Sequence, residues 1–122
     1  SAPVILAGDF NGNASRIATD KEFYYLYKES DLEDIFHLAQ VPAHDRHTYI
    51  QIKSGGRSEG RQIDYCFLSP DLHNKLNKSS AHVYLYKDEY NSAIHRPLFM
   101  DQRGLLPSDH YPVVFALENL NI

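Results

Sequence analysis

Asp9 and Asn11 stand two residues apart at the end of the apolar run 4–7, with Gly8 and Gly12 on either side. In an extended segment, residues two apart point the same way, so a carboxylate and an amide oxygen can meet one ligand. Hard oxygens so placed suit Mg²⁺, which keeps several waters and takes only a carboxylate or two. The same stretch, "DFNGN", would equally satisfy an Asx turn that ends a strand. Asp64 sits inside the apolar run "QIDYCF", where a charge is costly unless it is paired. Histidine or arginine would serve as partner, and an ion pair with Arg61 or Arg96 is the plain structural reading. Asp109 and His110 are adjacent in "PSDHYPV", just before an apolar strand. At a strand mouth both side chains can reach one cleft, or they form a capping aspartate beside a surface histidine.

These groups need elements to hold them. The continuous apolar run 4–7 reads as a strand covered on both faces. From Thr19, "TDKEFYYLYKES" has a helix start and places Phe23, Leu26 and Tyr27 at helical spacing. Residues 31–38 read as a short helical turn with Leu32, Ile35 and Phe36 inward. "HTYIQI", residues 47–52, alternates as a strand. After the turn "KSGGRSEG", the run "RQIDYCFLS" reads as its hairpin partner. "SPDLHNKL" is a helix or turn begun by proline. "AHVYLYK" alternates again, with Val83 and Leu85 opposite Tyr84 and Tyr86. Residues 88–107 lack a clean period and contain two prolines, so they read as a long loop, a length usually kept for function. "HYPVVFALE" closes the chain as a strand. Strands separated by short helices point to a mixed α/β domain.

The 122 residues suit one domain, and a hydrophobic share of 43% is ordinary for a globular chain. A net charge of −4 gives no bulk attraction to nucleic acid or an anionic membrane, though it leaves room for a local basic patch. Cys66 is alone, so there is no internal disulfide, and its strand-like surroundings predict a packed, unreactive thiol. No apolar stretch approaches the ~20 residues of a membrane span. No signal peptide is visible, and a strand beginning so near Ser1 without an initiator Met reads as a processed or excised piece.

"GDFN", "IDYCF" and "SDHYPV" occur in that order, each joined to an apolar strand, and "HTY" at 47–49 precedes the second. This set resembles the endonuclease/exonuclease/phosphatase family, whose type member is deoxyribonuclease I, over residues 4–117. The family also holds sphingomyelinases, inositol polyphosphate 5-phosphatases and deadenylases. The resemblance implies a metal-dependent phosphoesterase using Mg²⁺, with Mn²⁺ as a substitute. It further implies roles: Asp9 orients or deprotonates the attacking water, and Asn11 holds the phosphate or nucleophile. Asp109 assists the metal or the water, and His110 donates to a phosphate oxygen. Asp64 orients the His110 ring and favours its protonated form. Asp9, Asn11 and Asp109 are the implied metal residues.

The resemblance also implies a fold, a four-layer sandwich of two sheets flanked by helices, of which this chain matches the carboxyl-terminal half, one mostly antiparallel sheet with flanking helices. An earlier half normally supplies an Asn, the main metal-ligating Glu and often a second His. Glu22, Glu29 and Glu33 follow the "GDFN" motif and match none of these. The expectation is therefore a fragment that is inactive alone and binds Mg²⁺ poorly. Its bare sheet face should be covered by the missing half or by a second copy.

The substrate class is open between nucleic acid, a phosphoinositide and a phospholipid headgroup. Arg96 and Arg103, in the loop 88–107, would grip phosphate or remain structural. Nine tyrosines allow base stacking, but "YYLY" and "YLY" read more simply as packing. A catalytically silent interaction domain is the main alternative. A zinc module built on His44 and His47 is disfavoured by a single Cys and irregular spacing.

Overall fold

The computed structural model describes residues 2–15, 22–53, 55–104 and 106–121. It is a mixed α/β arrangement with a few short helices, and among the described residues the one antiparallel sheet expected is instead three, one of three strands and two of two. Strand β5 (Asp64–Leu68) is the axis of the molecule, pairing with β1 (Ile5–Asp9) on one side and the two-residue β2 (Glu33–Asp34) on the other. Its side chains alternate, and both faces are buried. Cys66 and Leu68 join one core with Ile35, Phe36, Ile50, Leu76, Ala81, Val83 and Tyr111. Tyr65 and Phe67 join a second with Ala14, against which Phe10, Phe23, Leu26 and Tyr27 pack.

Helix α1 (Tyr24–Glu29) supplies Leu26 and Tyr27 to that second core; the expected start at Thr19 lies outside the described residues. The turn read over 31–38 is divided, because Glu33 and Asp34 pair with β5 and only Ile35–Leu38 forms a helix, α2. Asp34 caps it by accepting the Phe36 N–H. Pro70 opens α3 (Pro70–His73) at its first turn, as read from the sequence.

The hairpin differs from expectation. Strand β3 (Tyr49–Ile52) pairs with β4 (Ser58–Arg61), not with the "IDYCF" strand. The run "RQIDYCFLS" breaks at Gln62–Ile63, where the chain leaves one sheet and enters the next. The hydroxyl of Thr48, fully buried, accepts the N–H groups of both Ile63 and Asp64 at 3.1 Å, satisfying the backbone at that break. The next strand also differs: β6 is Leu76–Val83, which takes in only the first three residues of "AHVYLYK", and it pairs with β7 (Val113–Leu117). The loop 88–107 is irregular, apart from a bridge between Lys87 and Ala93 and a single helical turn, α4 (Met100–Arg103).

Strand β1 corrects a second expectation. It was read as covered on both faces, yet every residue of it is exposed. It has no strand partner but β5 among the described residues, and Val4, Ile5 and Leu6 stand partly in solvent. Cys66 is buried as expected, and burial, reinforced by the Asp34 charge, pushes its thiol pKa up to about 11.

Candidate active site

The site forms where three segments end together. Register places Asp9, the last residue of β1, opposite Asp64, the first of β5. The third segment, 108–112, is drawn in by Thr48 and Tyr49. The Tyr111 N–H donates to the Thr48 carbonyl at 2.7 Å, and Tyr49 bridges His110. Ser108 accepts the His110 N–H, and the Tyr86 hydroxyl donates to the His110 carbonyl at 2.8 Å. The His110 backbone is thus fixed from both sides, and its ring lies 5.2 Å from that of Tyr49.

The His110 Nδ1 stands 2.8 Å from Asp64 Oδ2. A carboxylate accepts, so Nδ1 carries the hydrogen and Nε2 faces outward. From Nε2 to Asp9 Oδ2 is 4.0 Å, too long for a hydrogen bond yet short enough for both to reach one small group. Partial burial by itself would lower the imidazole pKa. The hydrogen bond and charge of Asp64, with the charges of Asp109 and Asp9, outweigh it and raise the pKa above the ordinary value. One atom each from Asp9, Asp64 and His110 lie within 4.8 Å of one another, so the group is able to hold a metal ion. A cavity of about 370 Å³ opens beside it, walled by Ala7, Cys66, Tyr111, Val113 and Phe115.

The other residues singled out by sequence fall around this centre. Asn11 adopts a left-handed φ of 53° and its N–H donates to Asp9 Oδ1 at 2.8 Å. The Asx turn is therefore present, and it fixes the Asp9 carboxylate. Gly12 is buried, and a Cβ there would strike the side chains of Glu22 and Phe23. Asp109 departs from its expected place among the metal residues. Its Oδ2 accepts from Arg103 Nη2 at 2.8 Å, and the acidic and histidine group that could hold a metal is Asp9 with Asp64 and His110, without Asp109. The reason is steric alternation: neighbours on an extended segment face opposite ways, and His110 takes the inward direction.

Arg103 stands at the rim, with its guanidinium 5.6 Å from the Tyr49 ring centre. Arg96 does not line the cavity. It stacks on Tyr111 at 4.7 Å, half-buried, with Nη1 lacking a partner. Neither Arg61 nor Arg96 pairs with Asp64, since Arg61 donates to Gln51. His44 and His47 belong to no metal-capable group found among the described residues. The sequence places "HTY" in a strand and in the motif set, but neither reading gives Thr48 a role. The signal was available: a hydroxyl at a strand start ahead of a buried aspartate is a ready acceptor for backbone N–H groups.

Comparison with protein-family models, with curated proteins and with solved structures found no match to this chain.

Proposed function

We propose that this chain carries half of a metal-dependent phosphoesterase site. It would hydrolyse a phosphodiester or phosphomonoester by in-line attack of an activated water, in the manner of the endonuclease/exonuclease/phosphatase family that its motifs resemble. The observation that supports this reading best is the placement of His110, held by Asp64 with its Nε2 facing Asp9. A phosphoryl group beside Asp9 and His110 would meet a base on one side and a proton donor on the other.

In this reading Asp9 orients the attacking water and takes up its proton as the new P–O bond forms. Its carboxylate can do so because the Asn11 N–H holds one oxygen and leaves Oδ2 directed at the centre. His110, charged, donates from Nε2 to a phosphoryl oxygen, where negative charge grows as the attacking oxygen bonds to phosphorus; the old P–O bond then breaks with its electron pair on the leaving oxygen, which takes a proton from solvent. Asp64 keeps the ring in the tautomer and orientation this needs. Where turnover is measured, His110→Ala should lower kcat by about 10²–10³, the usual effect of losing one such donor.

Asp9 offers one free carboxylate oxygen to a hard cation, while His110 and Asp64 are occupied with each other. Asp9 would hold Mg²⁺ or Mn²⁺, with the Asn11 amide as the further ligand that the motif resemblance implies. The ion would supply Lewis-acid polarisation and a template for the phosphate. So few oxygens make a poor site, consistent with a deoxyribonuclease-I-like sandwich completed by a further half. The exposed β1 is the face such a half, or a second copy, would cover.

The reading is tested by titrating the chain with MnCl₂ and inorganic phosphate while following amide signals by NMR. Paramagnetic broadening centred on Asp9, Asn11 and His110 at millimolar Mn²⁺ is expected, with little hydrolysis of bis(p-nitrophenyl) phosphate. Broadening confined to His44 and His47 would overturn the assignment. Brisk metal-dependent turnover by the 122 residues alone would overturn the half-site reading and leave the phosphoesterase standing.

A further inference from the structure

The longest loop ends in an exposed apolar ridge. Leu98, Phe99 and Met100 follow one another with 58%, 54% and 59% of their surfaces in solvent. Runs of this kind are unusual on a protein surface and mark places that meet something apolar. The ridge has a fixed setting. Phe99 lies over Gly56 at the tip of the β3–β4 hairpin, where a Cβ would come within 3.4 Å of its ring. Gln102 accepts the Leu98 N–H at 2.7 Å and closes the turn. Arg103, at the end of the same turn, bonds Asp109 beside His110. Ridge and site therefore share one rim.

The segments that meet at the ridge are richer in cations than the chain as a whole. Segments 53–61 and 95–103 hold five of the chain's twelve Lys and Arg but only two of its sixteen Asp and Glu, while the whole chain carries −4. Lys53 bonds Glu59 and Arg103 bonds Asp109, but Arg57 is exposed and pairs with no carboxylate among the described residues. Arg61 is exposed opposite Tyr49, its side chain turned to Gln51. Arg57 and Arg61 are thus the cations left open on the hairpin whose tip Phe99 covers, with Asp101 on the ridge's own turn.

We infer that the ridge Leu98–Phe99–Met100, with Arg57 and Arg61 beside it, docks this chain on an anionic phospholipid surface and presents lipid phosphate to the site at His110. The inference rests on the phosphoesterase reading for the second clause only. Apolar side chains entering the headgroup boundary and cations meeting anionic lipid act together at such surfaces. Among the described residues no helix is long and apolar enough to cross a membrane. A single-stranded nucleic acid would want several open ring faces. The ridge offers one ring, and Gly56 lies against it.

Sedimentation with sucrose-loaded vesicles tests this, using phosphatidylcholine alone and a 4:1 mixture with phosphatidylserine. The chain should partition onto the mixed vesicles in 50 mM salt and release in 0.5 M. Leu98→Asp with Met100→Asp should weaken partitioning about tenfold or more, and Arg57→Glu should weaken it on the mixed vesicles only. Both changes lie on exposed side chains, and unchanged circular dichroism and melting temperature would confirm that they fold. His110→Ala should leave vesicle binding intact. Absence of partitioning, or partitioning indifferent to the ridge variants, overturns the inference. So does loss of single-stranded oligonucleotide binding in those variants without vesicle binding by the parent. Vesicle binding without Mn²⁺-phosphate broadening at Asp9 and His110 would sustain the docking surface and sink the phosphoesterase reading; the reverse pattern would do the opposite.

Discussion

At the scale of single residues, the site depends on a proton. His110 binds its proton more tightly in the fold than in an open chain, because Asp64 accepts from Nδ1 and Asp9 and Asp109 lie near. The extra stability is complete below the ordinary value of 6.5 and is lost as pH rises through the folded value. Asp64→Asn removes both the charge and the strong acceptor, so the His110 pKa should fall towards or below the ordinary value. An NMR titration of the ring Cε1–H reads this directly, and an unchanged midpoint in the variant would mean that Asp64 does not set it. His47 provides a contrast: burial and the neighbouring Arg96 and His44 push its pKa below the ordinary value, so it should stay neutral at pH 7 in the same spectra.

At the scale of elements, two small features hold the segments in register. Thr48 accepts two N–H groups where the chain changes sheets, and Thr48→Val would leave both unpaired in a buried place. A loss of about 2–4 kcal/mol is expected from urea unfolding, and a loss below about 1 kcal/mol would show that the backbone finds other partners. Gly60 lies beneath the His47 ring, which a Cβ would strike. Gly60→Ala should cost about 1–3 kcal/mol by overpacking, seen as a lower melting temperature, unless the ring rotates away freely. These features also mark where the sequence stopped being legible. Val113–Leu117, Tyr49–Ile52 and α3 were readable because their patterns are local. The division of "RQIDYCFLS" was not, since it depends on a hydroxyl 15 and 16 residues from the N–H groups it accepts. The placement of Asp9, Asp64 and His110 was readable only through motif resemblance. The capture of Asp109 by Arg103 came from a loop whose path no periodicity records.

At the scale of the whole molecule, β1 is the telling element. Its apolar, uncharged residues 5–7 form a sheet edge without the lysines, prolines or bulges that usually protect one. Association that rises with concentration should appear in analytical ultracentrifugation, and Leu6→Lys should abolish it; strictly monomeric behaviour at high concentration would contradict an unpartnered face. The same openness leaves Asp9 on an exposed strand, which the proposed function takes as the mark of a half-site. The account stands or falls on what gathers between Asp9 and His110. A crystal soaked in Mn²⁺ and phosphate measures this most directly. The prediction is phosphate within hydrogen-bonding reach of His110 Nε2, manganese on the Asp9 carboxylate, and the bond from Nδ1 to Asp64 intact. Manganese bound directly to the His110 ring with that bond broken, or phosphate settled elsewhere on the surface, would contradict it.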